Sequence, residues 1–120
     1  MARCDQGYLC EVCGNAADVI TESDLYLRFV IGEITPSQLP GMPERHICCN
    51  PVLAQFIEHP NFPPVTVQGD FDKRLFDADD VARRTALVTR GWLRLQELST
   101  SKDSVPLSLY PLPEFRRAPR

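Results

Sequence analysis

At 120 residues the chain is expected to form one domain with a modest core. Hydrophobic residues at 43% and charged residues at 24% are ordinary globular values and exclude wholesale disorder. A net charge of -3 excludes a global electrostatic pull toward nucleic acid or anionic lipid, although a local basic patch is compatible with it. No apolar run approaches the roughly 18 residues needed to span a bilayer. The opening Met1-Ala-Arg-Cys-Asp-Gln-Gly7 lacks the apolar stretch of a secretory signal. The expected location is the cytoplasm, with no membrane partner.

In chain order, Ala17-Asp-Val-Ile20 reads as a short strand. Asp24 to Ile31 carries two periods at once: alternation of Leu25, Leu27, Phe29 and Ile31, and the helical pairs Leu25/Phe29 and Tyr26/Val30. Ser23 as a cap and Gly32 as a stop tip the balance to a helix. Thr35-Pro-Ser-Gln38 has the form of a capping box and predicts a short helical turn. Asn50-Pro51 predicts a helix start over Val52–Glu58, ended by His59-Pro60. Val65-Thr-Val67 reads as a strand closed by Gly69-Asp70. Asp70, Asp72 and Asp77 lack the pattern of a calcium loop and are assigned to turns and caps.

The clearest element is a helix over Ala78–Leu98, capped by Asp77, with Asp79 and Asp80 in the first turn. Val81, Thr85, Val88, Trp92 and Leu95 make one apolar stripe, so Trp92 is expected in the core. Gly91 is an interior weak point whose use is close packing. Arg83, Arg90 and Arg94 line the opposing flank, and the expectation is a solvated face with pairs Asp79–Arg83 and Arg94–Glu97. Ser99 to Arg120 contains Pro106, Pro111, Pro113 and Pro119 and reads as an extended arm, with loose Arg116, Arg117 and Arg120. The organisation predicted is a domain over 1–98, with half-sites at 4–13 and 46–49, followed by an arm over 99–120.

Five cysteines in a chain without an export signal argue against a disulfide framework and for ligand chemistry. Cys10-Glu-Val-Cys13-Gly14 supplies two thiolates at the tight spacing one metal ion needs, and Gly14 allows the backbone to turn its amides toward sulfur. His46-Ile-Cys48-Cys49 supplies a second pair just before a helix start. The preferred set is Cys10, Cys13, His46 and Cys49, holding one structural zinc ion in a closed tetrahedral sphere. Cys4 and Cys48 remain open as substitutes. A redox Cys-x-x-Cys normally opens a helix, and Gly14-Asn15 is not a helix start. Haem attachment would need histidine where Gly14 stands.

A knuckle followed by ligands at a helix start resembles the treble-clef zinc finger over residues 8–58, with His46-x-x-Cys49 where that family has Cys-x-x-Cys. Gly7-Tyr-Leu-Cys-Glu-Val-Cys-Gly14 and Glu44-Arg-His-Ile-Cys-Cys-Asn-Pro51 are also similar to motifs of a small bacterial protein family of unknown activity. That second resemblance implies the metal site and nothing beyond it. The fold expected is small α+β: a treble-clef-like zinc site, a long helix in the C-terminal half, a short sheet and an extended Pro-rich arm. A non-enzymatic interaction module with a protein partner leads the functional readings. Nucleic-acid binding through Arg83, Arg90, Arg94 and Arg45 comes second. A metal-dependent hydrolase or nuclease comes third, because His59, the other histidine, has no evident carboxylate to orient it.

Overall fold

A computed structural model describes residues 9–15, 19–101 and 105–116. Three α-helices carry the fold: α1 (Asp24–Val30), α2 (Pro51–Ala54) and α3 (Ala78–Thr100), with short 3-10 turns between and after them. Helix α1 is the centre. Leu25, Tyr26, Leu27, Phe29 and Val30 are all buried, so it is enclosed on every side, with only the ion-paired Asp24 and Arg28 carrying charge. That explains its double periodicity in sequence: a helix enclosed all round has no polar face to mark a period of 3.6. Its ends decide the conformation. The Ser23 hydroxyl accepts from the Tyr26 amide at 3.0 Å. At the other end Gly32, with φ +84°, donates to the Phe29 carbonyl, and Glu33 donates to that of Arg28. This pairing is a Schellman motif, which needs the left-handed residue that glycine supplies.

Helix α3 is the long helix expected from Ala78, running to Thr100 and capped by Asp77, whose carboxylate accepts from the amides of Asp79 and Asp80. Val88, Trp92 and Leu95 of the stripe are buried, with Val81 half-buried against the same core. Gly91 lets α1 and α3 touch. A β-carbon there would sit 2.4 Å from Ile31 Cγ2 and 3.1 Å from Leu27 Cδ1. Trp92 closes the core edge under His59 and Phe62, its ring centroid 5.0 and 5.6 Å from theirs.

Helix α2 is shorter than Val52–Glu58, and the reason is competition from tertiary partners. The backbone after Ala54 tightens into 3-10 bonds, Phe56 to Leu53 and Ile57 to Ala54. Thr89 of α3 then takes over, its hydroxyl donating to the Phe56 carbonyl and accepting from the Glu58 amide. The buried Gln55 side chain holds the following loop, donating to the Phe71 carbonyl at 2.7 Å and accepting from the Lys73 amide at 2.9 Å. Asp72 caps the turn Lys73–Leu75 and grips Arg74, as its assignment to turns and caps requires.

The short sheet is a correction. Among the described residues there is no strand, only the isolated bridges Ser23–His46 and His59–Phe62. Val65–Val67 alternates half-buried and exposed side chains, but no neighbouring segment runs beside it to form a ladder. Ile20 opens a 3-10 turn, Ile20–Glu22, rather than ending a strand; residues 17 and 18 of that expectation lie outside the described residues. Thr35–Gln38 does turn: the Gln38 side chain accepts from the Thr35 amide, and the chain runs on into a 3-10 turn at Leu39–Gly41.

The arm is not extended. It folds into 3-10 turns at Leu107–Leu109 and Pro113–Phe115 and packs onto α1 and α3. The Leu112 amide donates to the Val30 carbonyl, Tyr110 meets the rings of Tyr26 and Phe29, and Phe115 lies over Gly32. Arginines of α3 tie it down: Arg94 donates to the carbonyls of Leu109 and Tyr110, and Arg90 forms a two-bond pair with Glu114 at 2.7 and 2.9 Å. Arg116 is held by the Pro111 carbonyl at 2.9 Å, whereas Arg117 and Arg120 lie outside the described residues. Arg83 pairs with Asp80, not Asp79, while Arg94 pairs with Glu97 as expected.

Two measurements test this packing. In chemical denaturation Trp92→Ala should cost about 3–5 kcal/mol and Gly91→Val about 1–3 kcal/mol, whereas exposed Arg83→Ala should stay within about 1 kcal/mol. Equal and small effects from all three would mean that the α1–α3 contact is not the core. The hydrogen bonds from Arg90 hold the Glu114 carboxyl down at about 2. A depressed folded-state value makes the pair a contribution present above the ordinary glutamate range and lost as pH falls through about 2. Carboxyl NMR titration should find that low midpoint in the wild type and an ordinary one in Arg90→Ala.

Candidate metal centre

The half-sites are built by two tight turns. In the first, the Cys10 amide donates to the Asn15 carbonyl at 2.8 Å and the Gly14 amide to the Cys10 carbonyl at 2.9 Å. Gly14 has φ +79°, so the knuckle closes in a conformation that glycine adopts without strain. In the second, Ile47–Cys49 forms a 3-10 turn in which the Cys49 amide donates to the His46 carbonyl. That turn brings residues 46 and 49 into the cluster and leaves Cys48 exposed beside it.

Segment 44–46 crosses between the knuckle and the start of α1. The Glu11 amide donates to the Glu44 carbonyl and the Asp24 amide to the Arg45 carbonyl, so both half-sites share one backbone support. Cys10, Cys13, His46 and Cys49 come together as a result, with their ligand atoms all within 4.8 Å of one another. His46 Nδ1 lies 3.3 Å from Cys13 Sγ and 3.9 Å from Cys49 Sγ. A tetrahedral ion bonded to thiolates at about 2.3 Å and imidazole at about 2.0 Å would set such edges at roughly 3.5–3.8 Å. The four residues therefore lie close enough to hold a metal ion, with Nδ1 as the imidazole donor. Cys48 is outside the cluster, and Cys4 lies outside the described residues.

The electrostatics call for a cation. Burial opposes ionisation of the Cys10 thiol, but amides of Cys13, His46 and Val12 directed at its sulfur outweigh that and lower it to about 6. Two of these contacts measure 3.4 Å from Val12 and 3.5 Å from His46. Cys49 goes the opposite way, pushed up to about 12 by burial and by sharing its site with the sulfurs of Cys10 and Cys13. Three thiols in contact cannot all carry charge unaided. A divalent ion at their centre removes the conflict and makes every sulfur a ligand.

Around the cluster lies a buried polar network whose joining of these residues was not legible in the sequence. Asp24, fully buried, is the charge partner of Arg28 at 3.0 Å and Arg45 at 3.4 Å, through contacts that are electrostatic rather than aligned hydrogen bonds. Arg45 also reaches Glu11 in the knuckle at 3.3 Å. Asn50 stands at the N-cap of α2 as expected, with Pro51 in the first helical position, but its side chain donates to Asp24 at 2.8 Å and makes no cap bond to the helix. Glu44 is buried, which pushes its carboxyl up, and it accepts from the Ser23 hydroxyl and the Arg45 and Leu25 amides. Its carboxylate links the cap of α1 to the loop that carries His46. The sequence signal was the charge pair Glu44-Arg45 beside a ligand, facing a cap made of Ser23-Asp24.

His59 is not in the cluster; it packs on Trp92, and its Nδ1 accepts from the Asn61 amide. A cavity of about 500 Å³ opens beside the ligands, lined by Cys13, Asn15, Thr21, Glu22, Ile47, Cys48 and Phe62 among others. A second, of about 530 Å³, lies away from the ligand cluster between α1, α2 and the start of α3. No family model matches the chain, nor does any curated protein or solved structure. Among the described residues, no helix is long and apolar enough to cross a membrane.

Removing the Asp24 charge strands two arginines in the network, so Asp24→Asn should cost about 3–5 kcal/mol. Asn50→Ala removes a hydrogen-bond donor from that buried carboxylate and should cost about 1–3 kcal/mol, and because Arg45 adjoins His46 the metal affinity should fall with it. Chelator-competition titrations and urea melts read both. Unchanged affinity in Asn50→Ala would mean that the network supports the fold but not the site.

Proposed function

We propose that this chain is a non-enzymatic, zinc-stabilised interaction module of treble-clef-like design, working in the cytoplasm with a protein partner. The observation that carries the reading is the gathering of one imidazole and three thiol ligands within 4.8 Å. Sulfur-rich, four-ligand sets suit zinc, and a tetrahedral ion with four protein ligands has no position left for water. Thiolate donation also weakens the ion as a Lewis acid. The zinc is therefore structural, and the activity belongs to the surface it shapes.

The cavity beside the metal offers Phe62, Ile47 and Thr21 to a partner side chain. Nucleic-acid binding ranks second because the arginines it would use are engaged by carboxylates: Arg83 by Asp80, Arg90 by Glu114, Arg94 by Glu97, and Arg45 by Asp24 and Glu11. Neutralised cations release few counterions from a phosphate backbone.

Elemental analysis of the purified chain should find one zinc per molecule, and metal-edge X-ray absorption should find a shell of three sulfurs and one nitrogen. Structural zinc supplies roughly 10–16 kcal/mol of apparent binding energy at neutral pH, so a strong chelator should abolish the folded circular dichroism spectrum. Cys49→Ser should lose the metal and Cys48→Ser should keep it. A metal shell containing water, or zinc-dependent turnover of nucleic acid or ester substrates, would replace the module with a hydrolase.

A further inference from the structure

The cluster has a protected side and an open side. Cys10 is 2% exposed and surrounded by backbone amides, whereas Cys13 is exposed and Cys49 partly so. On the open side stands a further thiol, Cys48, exposed and lining the same 500 Å³ cavity as Cys13, His46 and Cys49. The 3-10 turn holds it there: the bond from the Cys49 amide to the His46 carbonyl brings residues 46 and 49 into the cluster and leaves residue 48 exposed beside it.

We propose that Cys13 and Cys48 form a peroxide-reactive dithiol that opens the metal site. The proposal rests on the metal reading above. Its substrate class is hydrogen peroxide or a small organic hydroperoxide, which the open cavity admits. In the first step the Cys48 sulfur attacks the peroxide: an S–O bond forms and the O–O bond breaks. The thiol proton leaves with the departing oxygen as water, or as alcohol from an organic hydroperoxide. In the second step the Cys13 thiolate gives up the metal and attacks the Cys48 sulfur; the S–S bond forms and the S–O bond breaks. The hydroxyl leaves as water with a proton from solvent. Two thiols are oxidised by two electrons, and the peroxide is reduced by the same two. The ion keeps Cys10, His46 and Cys49, an incomplete set for tetrahedral zinc.

Chain geometry removes Cys49 as a partner for Cys48, and burial removes Cys10. Cys48 and Cys49 are neighbours across a trans peptide, with Cα atoms about 3.8 Å apart, inside the usual minimum of about 4.4 Å for a disulfide. Cys10 is enclosed. Cys13 faces the same cavity, and its sulfur already touches His46, two residues before Cys48.

The experiment treats the zinc-loaded full chain with hydrogen peroxide and follows zinc with a chromogenic chelator and disulfides by peptide mass mapping. Zinc should leave as one Cys13–Cys48 disulfide forms, and dithiothreitol with fresh zinc should restore the starting state. Cys48→Ser and Cys48→Ala, both at an exposed position, should stay folded and release zinc roughly tenfold more slowly, because the accessible thiol is gone. Release at the wild-type rate in both variants overturns the proposal, as does a disulfide joining any other pair, including one to Cys4. A chain that carries no zinc defeats the metal reading alone, because disulfide mapping still reports whether peroxide joins Cys13 to Cys48.

Discussion

The buried carboxylate of Asp24 is the constraint on which the rest of the molecule depends. It sits at the first residue of α1, without solvent, and its charge requires partners from elsewhere. Arg28 comes from the same helix, Arg45 from the segment carrying the metal ligand His46, and Asn50 from the start of α2. Satisfying one charge therefore brings together the central helix, the second half-site and the element that follows it. Ser23 and Glu44 repeat the junction one residue on each side, through two hydroxyl–carboxylate contacts at 2.9 and 3.0 Å. A helix cap and a metal loop are held by the same groups.

Helix α3 is a spine rather than a surface element. One face presses on α1 through Gly91, and another carries arginines whose hydrogen bonds fix the arm. Opposite charge alone would leave an exposed pair such as Arg90–Glu114 contributing little. Here the pair is backed by apolar contacts of Tyr110 and Leu112 with the core and by the backbone bond from Leu112 to Val30. The arginines that look in sequence like a phosphate-binding ridge are in part the fastenings of a proline-rich segment too irregular to pair its own backbone.

The metal cluster is the other half of this economy. With no strand among the described residues, short turns and a four-residue second helix, the N-terminal half has little regular hydrogen bonding to hold its loops. The opposed tendencies of Cys10 and Cys49, one thiol drawn toward ionisation and the other away from it, are a tension that a bound cation relieves. A bound cation would therefore couple fold stability to site chemistry through the same sulfurs. That coupling also gives the position of Cys48 its significance: a free thiol on the open side of a cluster on which the loops depend.

Some features needed only local chemistry and were legible in the residues. Asp77 followed by two acids, Ser23 with Gly32, and the spacings Cys10-x-x-Cys13 and His46-x-x-Cys49 are short-range patterns whose physics is contained within one turn of chain. Helix α3, the ends of α1 and the pairing of ligand types follow from them. Other features were decided only by distant groups. Helix α2 stops early because Thr89 and Gln55 redirect its backbone bonds, and the side chain of its N-cap residue Asn50 turns to Asp24. Val65–Val67 finds no strand to lie beside, and the arm winds into turns because Arg90, Arg94 and Val30 supply partners at particular points. In each case backbone or side-chain polar groups had two sets of partners to choose from. The local set is written in the sequence, whereas the one that prevails is set by which elements the buried charge at Asp24 and the close α1–α3 contact bring within reach.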